Sequence, residues 1–438
     1  MDVHIITSTQ TLLRQAATLL IYRSVLTGEA GLAFLELLQA IGNAEQNTVA
    51  AELDCLQTYS RWFNALATLN QSWQDYLLTR LLRDENPFTR QVQRTQLQDL
   101  PTSLITAAQH DLQILQSFYE CSGQQISEWV KVVSHLTAAP VAWSQEQSEA
   151  TLDRLRSTLK GSINWAEGLE TLAELYRQDG VGLFAEYRAF RWLAGQLRGI
   201  PHPDPVQITD LVGYELQKET LLKNTEFLLN GYPALHVLLY GSRGSGKSSL
   251  VKGLLHHYGD RNLRLIEVAK SDLKDLPLII EPLRDLPQKF IIFVDDLSFE
   301  EEEDAYKALK VVLEGNLTAR PANVVVYATS NRRHLIREFF GDRPRPRDHE
   351  EVHAWDTMQE KLSFSDRFGL TLTFEPADQK TYLEIIHHLA AQAGISLSPE
   401  DLQHRALQWA TRHNGRSGRT ARQFVDFLQA DLAVSGRN

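Results

Sequence analysis

HVLLYGSRGSGKS, residues 236–248, joins an apolar run to a glycine-rich octet. Five mostly apolar residues of strand character run straight into Gly241-Ser242-Arg243-Gly244-Ser245-Gly246-Lys247-Ser248. That octet fits G-x-x-x-x-G-K-[ST], a loop that cradles phosphate groups, with the strand it needs in front. Residues 249–258 have the composition of a helix, so the loop opens a helix N-terminus. Unpaired backbone N–H groups and the positive dipole end both favour an anion there. Gly241, Gly244 and Gly246 let the backbone curl until several N–H groups aim at one phosphate. Lys247 is expected to reach the β- and γ-phosphates, and the Ser248 hydroxyl to face Mg²⁺. Ser249 continues the loop into the helix.

Working outward, the chain of 438 residues is too long for one ordinary core and predicts two or three domains. A hydrophobic content of 43% is that of a globular protein. The net charge of −11 argues against a surface dominated by nucleic-acid attraction. Cys55 and Cys121 are far apart with no CxxC spacing, which argues against structural zinc and a disulfide framework. No apolar run reaches membrane-spanning length, and residues 1–10 lack the basic start of a secretory signal. A cytoplasmic protein that does not engage membranes is the expectation.

From residue 8 to residue 197 the pattern reads as helical almost throughout. Apolar residues recur at three and four, as in Leu53, Leu56, Tyr59, Trp62, Phe63, Leu66 and Leu69. Breakers punctuate these runs at Gly42-Asn43, Asn86-Pro87, Pro101, Gly123 and Ala139-Pro140. Trp62, Trp73, Trp129 and Trp192 read as buried helical stripes in preference to base-stacking platforms. The expected organisation is an all-helical domain over 1–198, a proline-rich linker over 199–207, an α/β domain over 208–375 and a helical domain over 376–438. Strands are expected at 263–268, 290–294, 323–329 and 370–374, alternating with helices, which implies a parallel sheet covered on both faces.

The strand FIIFV, residues 290–294, ends in Asp295-Asp296. A carboxylate at the tip of a buried strand beside the loop is where such a site holds Mg²⁺, a role that fits Asp295 together with Ser248. Asp296 is then expected to orient the attacking water. The strand NVVVYAT, residues 323–329, leads to Ser330-Asn331, an uncharged tip suited to the γ-phosphate or the water.

The order of these features resembles the AAA+ ATPase module over about residues 208–432, half of the chain. The resemblance implies an α/β P-loop NTPase fold with a parallel five-stranded sheet and a C-terminal helical lid, preceded by the all-α domain. It also implies ATP and Mg²⁺ as cofactors. Residues 208–213 (ITDLVG) look like the segment lining the adenine pocket, which brings in Val212 and Gly213. Asn331 resembles the sensor-1 residue. Arg367 resembles the arginine finger offered to a neighbouring subunit, and Arg419 the sensor-2 arginine of the lid, with Ser417 as the helix cap. The phrases DDLSFE (295–300), YATSNRRHLI (327–336), LSFSDRFGL (362–370) and GRSGRTARQF (415–424) resemble the bacterial ATP-binding family called domain of unknown function 815, back to about Gly182.

The sequence departs from the AAA+ pattern at one position. Most AAA+ modules carry Glu as the second acid, whereas Asp296 is one methylene shorter; Glu300 is a candidate to compensate. The expectation is an oligomeric ATPase, a homo-oligomer that remodels or loads a partner, with an unknown protein client on the N-terminal helices. Two alternatives stay open: a slow nucleotide switch, and a nucleic-acid-associated loader. The arginines at 332, 333, 337, 343, 345 and 347 are the one basic concentration, and nucleic acid remains possible but not favoured.

Overall fold

In the computed structural model, Val237–Gly241 is the strand that the glycine loop follows, and Lys247–Tyr258 is the helix behind it. The structure describes residues 3–44, 48–145, 150–160, 164–298, 304–314, 320–331, 367–413 and 415–435. The expectations for Glu300 and for the arginines between 332 and 347 fall outside these residues. The chain forms two compact units, Met1–Glu186 and Tyr187–Asn438.

The first unit is helical: α1 (Val3–Ala17), α2 (Glu29–Asn43), α3 (Val49–Leu69), α4 (Trp73–Arg83), α5 (Pro87–Val92), α6 (Thr102–Glu120), α7 (Gly123–Val133), α8 (Ala150–Lys160), α9 (Leu169–Asp179) and α10 (Leu183–Glu186). Polar residues beside the breakers start these helices, since a side-chain oxygen there satisfies an otherwise orphaned N–H. Thr48 caps α3, Ser72 caps α4 and Ser122 caps α7, while Asn86 forms a capping box ahead of Pro87. The core is aromatic at its centre, where Phe34 stacks on Trp73 with centroids 4.1 Å apart and Trp62 packs edge-on against Trp73. Trp62, Trp73 and Trp129 are buried, as the helical pattern implies. Cys55 and Cys121 are buried thiols, and burial pushes both up to about 11.

Asp111 is a fully buried carboxylate of this unit. It accepts hydrogen bonds from the backbone N–H groups of Leu20, Ile21 and Tyr22 at 2.7–3.0 Å and faces His110 Nδ1. The acid thereby satisfies donors that the chain exposes after α1 ends.

The second unit begins with a hairpin, where the sequence pattern implies helix. Strands β1 (Ala189–Leu193) and β2 (Gln196–Gly199) pair antiparallel around Ala194-Gly195, both at positive φ. Two consecutive left-handed residues give the turn twist that matches paired strands. Trp192 therefore lies on a strand, donating from Nε1 to Asp275 at 3.0 Å, and residues 189–198 belong to the sheet and not to the helical unit.

The sheet has seven strands in the order β2-β1-β4-β5-β6-β3-β7, with β3 (Val237–Gly241), β4 (Leu263–Glu267), β5 (Lys289–Val294), β6 (Val324–Ser330) and β7 (Leu370–Phe374). The expected five parallel strands are present, and β1 extends them by pairing parallel with β4. Continuous apolar runs such as Phe290 to Val294 suit strands covered on both faces. One face packs against α11 (Glu215–Leu229) and α12 (Lys247–Tyr258), whose Leu221, Leu228, Leu250 and Leu254 are buried with Val237 and Ile291. Helices α13 (Leu276–Leu283) and α14 (Asp304–Glu314) follow β4 and β5. Three further helices, α15 (Gln379–Gln392), α16 (Pro399–Arg412) and α17 (Gly418–Ser435), share a separate core of Tyr382, Ile386, Ala406, Phe424 and Val425. Among the described residues no helix is long and apolar enough to cross a membrane.

Candidate functional site

Parallel register brings the chemistry to one edge. Gly241 pairs with Phe374, Tyr240 with Ser330 and Val294 with Ala328, so the carboxyl ends of β3, β5, β6 and β7 lie together. That edge of an open α/β sheet is where ligands bind. The glycine loop leaves β3 there, Asp295-Asp296 leaves β5, and Asn331 follows β6.

The loop is shaped by backbone that only glycine adopts easily. Gly241, Gly244 and Gly246 have φ of 141°, 74° and 89°. The amide of Ser242 donates to Phe374 O at 3.0 Å, which ties the loop to the neighbouring strand. Lys247 is 6% exposed, and its ammonium donates to Gly241 O at 3.0 Å, to Ser242 O at 2.7 Å and to Asn331 Oδ1 at 3.4 Å. Burial pulls its pKa down, with the charge of Arg419 adding to this, while Asp295 and Asp296 oppose it. A buried cation facing a cavity gains from an anionic ligand.

Ser248 Oγ donates to Asp295 Oδ1 at 2.6 Å. These two oxygens, from the helix behind the loop and the tip of β5, are the hard donors that Mg²⁺ prefers. Asn331 Nδ2 donates to Asp296 Oδ1 at 2.6 Å, so the second acid and the polar tip of β6 form a pair.

A cavity of about 830 Å³ joins these groups, within the range of about 300–1,000 Å³ usual for ligand pockets. Ser242 to Ser249, Asp295, Asp296 and Asn331 line its floor, and Leu211, Val212 and Gly213 line a wall with Ile385 and Leu389 of α15. Arg419 at the start of α17 also lines the cavity, where Ser417 caps the helix by accepting from Thr420 N at 3.1 Å. Contact there is close: a Cβ on Gly244 would stand 2.8 Å from Ser417 Oγ. The sequence-derived set is thus brought together, with one exception. Arg367 precedes β7, at the end of that strand remote from the loop, and does not line the cavity.

Further residues line the cavity. Arg416 and Arg422 flank Arg419 on the lid, and Lys218, 9% exposed, reaches in from α11 to hold Glu215 at 2.9 Å and the Leu211 carbonyl. Asp204, Pro205 and Val206 of the proline-rich segment also line the wall. Asp204 is pinned to α12, its carbonyl facing His256 Nε2 at 2.8 Å. Thr329 reads in the sequence as an ordinary β-branched strand residue within the phrase YATSNRRHLI, and nothing there sets its hydroxyl apart from those of Tyr327 and Ser330.

A sequence-family profile described as "Protein of unknown function (DUF815)" matches residues 185–432. The chain belongs to this family. The fold of this DUF815 member is that of an AAA+ P-loop module, with its parallel sheet, glycine loop and helical lid, joined to an all-helical N-terminal unit. Among solved structures, it is similar to the Thermotoga maritima RuvB Holliday junction branch migration motor at 16% identity and a TM-score of 0.38, over 53% of this chain and 67% of that one. It is also similar to domain III of the Thermotoga maritima replication initiation protein DnaA, at 14% identity and a TM-score of 0.38, over 54% and 93%. Likenesses this remote say nothing of activity or partners. No curated protein matches the DUF815 chain significantly.

Proposed function

We propose that the chain binds Mg·ATP in the Lys247 cavity and hydrolyses it to ADP and phosphate within a homo-oligomer that acts on a partner. The observation that carries this reading is the convergence of Lys247, the Ser248–Asp295 pair and the Asp296–Asn331 pair on one cavity. The loop's backbone amides and Lys247 bind the phosphates, and Val212 and Gly213 flank the base. Mg²⁺, held by Ser248 and Asp295, supplies charge neutralisation on the phosphate oxygens. Asp296 and Asn331 orient the water that takes the γ-phosphoryl group, and Arg419 adds a cationic fork from the lid.

Arg367 has its role in trans. It precedes β7, whose far end meets the loop at Phe374, so the length of that strand, about 13 Å, separates it from its own cavity. A neighbouring subunit presenting Arg367 completes the site, and such a finger is worth about 10³–10⁵ in rate. The N-terminal helical unit is the element offered to a client. Most of the chain's excess negative charge lies in that unit, which favours a protein client over nucleic acid. A cytoplasmic setting is part of this reading.

A second reading, a slow ATP-gated switch, is favoured by one observation. The short carboxylate of Asp296 is already engaged by Asn331 at 2.6 Å, which restrains it from reaching water. ATPase rate per subunit across a protein concentration series separates the two. A rate that climbs with concentration and is lost in Arg367→Ala supports the oligomeric enzyme. A flat, near-zero rate beside tight ATP binding supports the switch.

A further inference from the structure

Thr329 is 2% exposed, at the end of β6, and its hydroxyl bonds to the connection that leaves β5. Oγ1 donates to Asp295 Oδ1 at 2.5 Å and accepts from Asp296 N at 2.9 Å. The first distance is that of a charge-assisted O–H···O⁻ bond. The direction of both bonds is fixed, because a carboxylate only accepts and an amide only donates. Thr329 O accepts in turn from Leu297 N at 2.7 Å. One residue therefore grips three consecutive positions of the acidic turn.

The grip has a conformational consequence. Asp296 sits at φ 52°, in the left-handed region that a side-chain-bearing residue adopts at a cost. Bonds to the N–H groups on both sides of its α-carbon hold it there, and in that conformation its carboxylate meets Asn331 Nδ2. The grip also orients Asp295. Ser248 Oγ, Thr329 Oγ1 and Asp296 N all donate to Oδ1, and among the described residues these are the hydrogen bonds to that carboxylate, which leaves Oδ2 uncommitted.

We infer that Thr329 is a positioning residue for both acids: its hydroxyl orients Asp295 toward the metal and fixes Asp296 in the backbone conformation that pairs it with Asn331. This rests on the Mg·ATP reading above. The sheet does not need the hydroxyl, since valine is likewise β-branched and Thr329 pairs through its backbone with Leu239. Thr329→Val therefore keeps the sheet pairing, removes the two hydrogen bonds and replaces the 2.5 Å contact to Asp295 Oδ1 with a methyl that holds the carboxylate farther off.

The test measures affinity for a fluorescent ATP analogue with and without Mg²⁺, the Mg²⁺ concentration that half-restores binding, and kcat and KM, in wild type, Thr329→Val and Thr329→Ser. The expected result is an unchanged Mg²⁺-free affinity in all three, with a Mg²⁺ requirement about tenfold higher in Thr329→Val. Its kcat falls by a similar factor at unchanged KM, and Thr329→Ser restores both. A Thr329→Val protein matching wild type in Mg²⁺ requirement and kcat overturns the inference while leaving the ATP reading intact. Equal weakening with and without Mg²⁺, accompanied by a lowered melting temperature, reduces Thr329 to a structural residue and also overturns it. A wild-type protein that binds no nucleotide removes the reading and the inference together.

Discussion

A Cβ on Gly241 would lie 1.9 Å from the carbonyl oxygen of Phe374, the same oxygen that accepts from Ser242 N. The glycine loop is thus locked to β7 by a backbone approach that no side chain fits, at a φ of 141°. Gly241→Ala is expected to cost about 3 kcal/mol or more, from strain and steric conflict with backbone that has no rotamer to yield. Urea denaturation measures it, and nucleotide binding is lost in parallel.

On the proposed reading, with Mg²⁺ held by the Ser248–Asp295 pair, activity depends on a divalent cation. Chelation by EDTA, and separately Asp295→Ala, should each lower turnover by about 10² or more, the scale of removing one preorganised electrostatic group. Adding Mg²⁺ back restores the chelated wild type and leaves Asp295→Ala low. Steady-state phosphate release reads both.

His236, just before β3, accepts a hydrogen bond from Val326 N at Nδ1 across 2.9 Å and is 4% exposed. Burial pushes its pKa down to about 3, with the nearby charge of Arg320 acting in the same direction. The folded state holds the neutral ring, so the unfolded chain takes up the extra proton between about pH 6.5 and 3. The stability this ring contributes is intact above about pH 6.5 and is lost as the pH falls, with a slope of up to about 1.4 kcal/mol per pH unit. His236→Asn keeps an acceptor for Val326 N and should flatten stability between about pH 4.5 and 6.5, as read by denaturant midpoints.

Asp111→Ala strands the N–H groups of Leu20, Ile21 and Tyr22 inside the helical unit. The expected loss is about 3 kcal/mol, since each amide gives up a bond to a charged acceptor. A fall in thermal midpoint without change in ATP affinity checks it, because the cavity belongs to the other unit.

Much of this architecture is legible in the sequence because its signals are local. The glycine loop announces a strand before and a helix after, and FIIFV has the continuous apolar character expected of a strand buried on both faces. Ser417 reads as a cap because it precedes a helix start, and it caps α17. The hairpin at 189–199 is illegible for the opposite reason. Its Ala194-Gly195 turn lacks the Asn-Gly or Asp-Gly signature, and Leu, Ala, Gln and Arg around it all favour helix. Pairing with β4, far along the chain, overrides that preference. Lys218 carries no sequence signal because only the fold brings it to the cavity wall, and nothing in the phrase GRSGRTARQF marks Arg416 and Arg422, beside Arg419, as lining residues. Thr329 needs the distance to Asp295, which no spacing encodes.

The cavity floored by Lys247 is proposed as an ATP site, and calorimetric titration of Mg·ATP into wild type and Lys247→Ala tests that proposal. Saturable one-to-one binding is predicted in wild type, with binding at least about a hundredfold weaker in Lys247→Ala, whose melting temperature without ligand stays close to wild type. Equal affinity in the two proteins, or no binding in wild type, contradicts it.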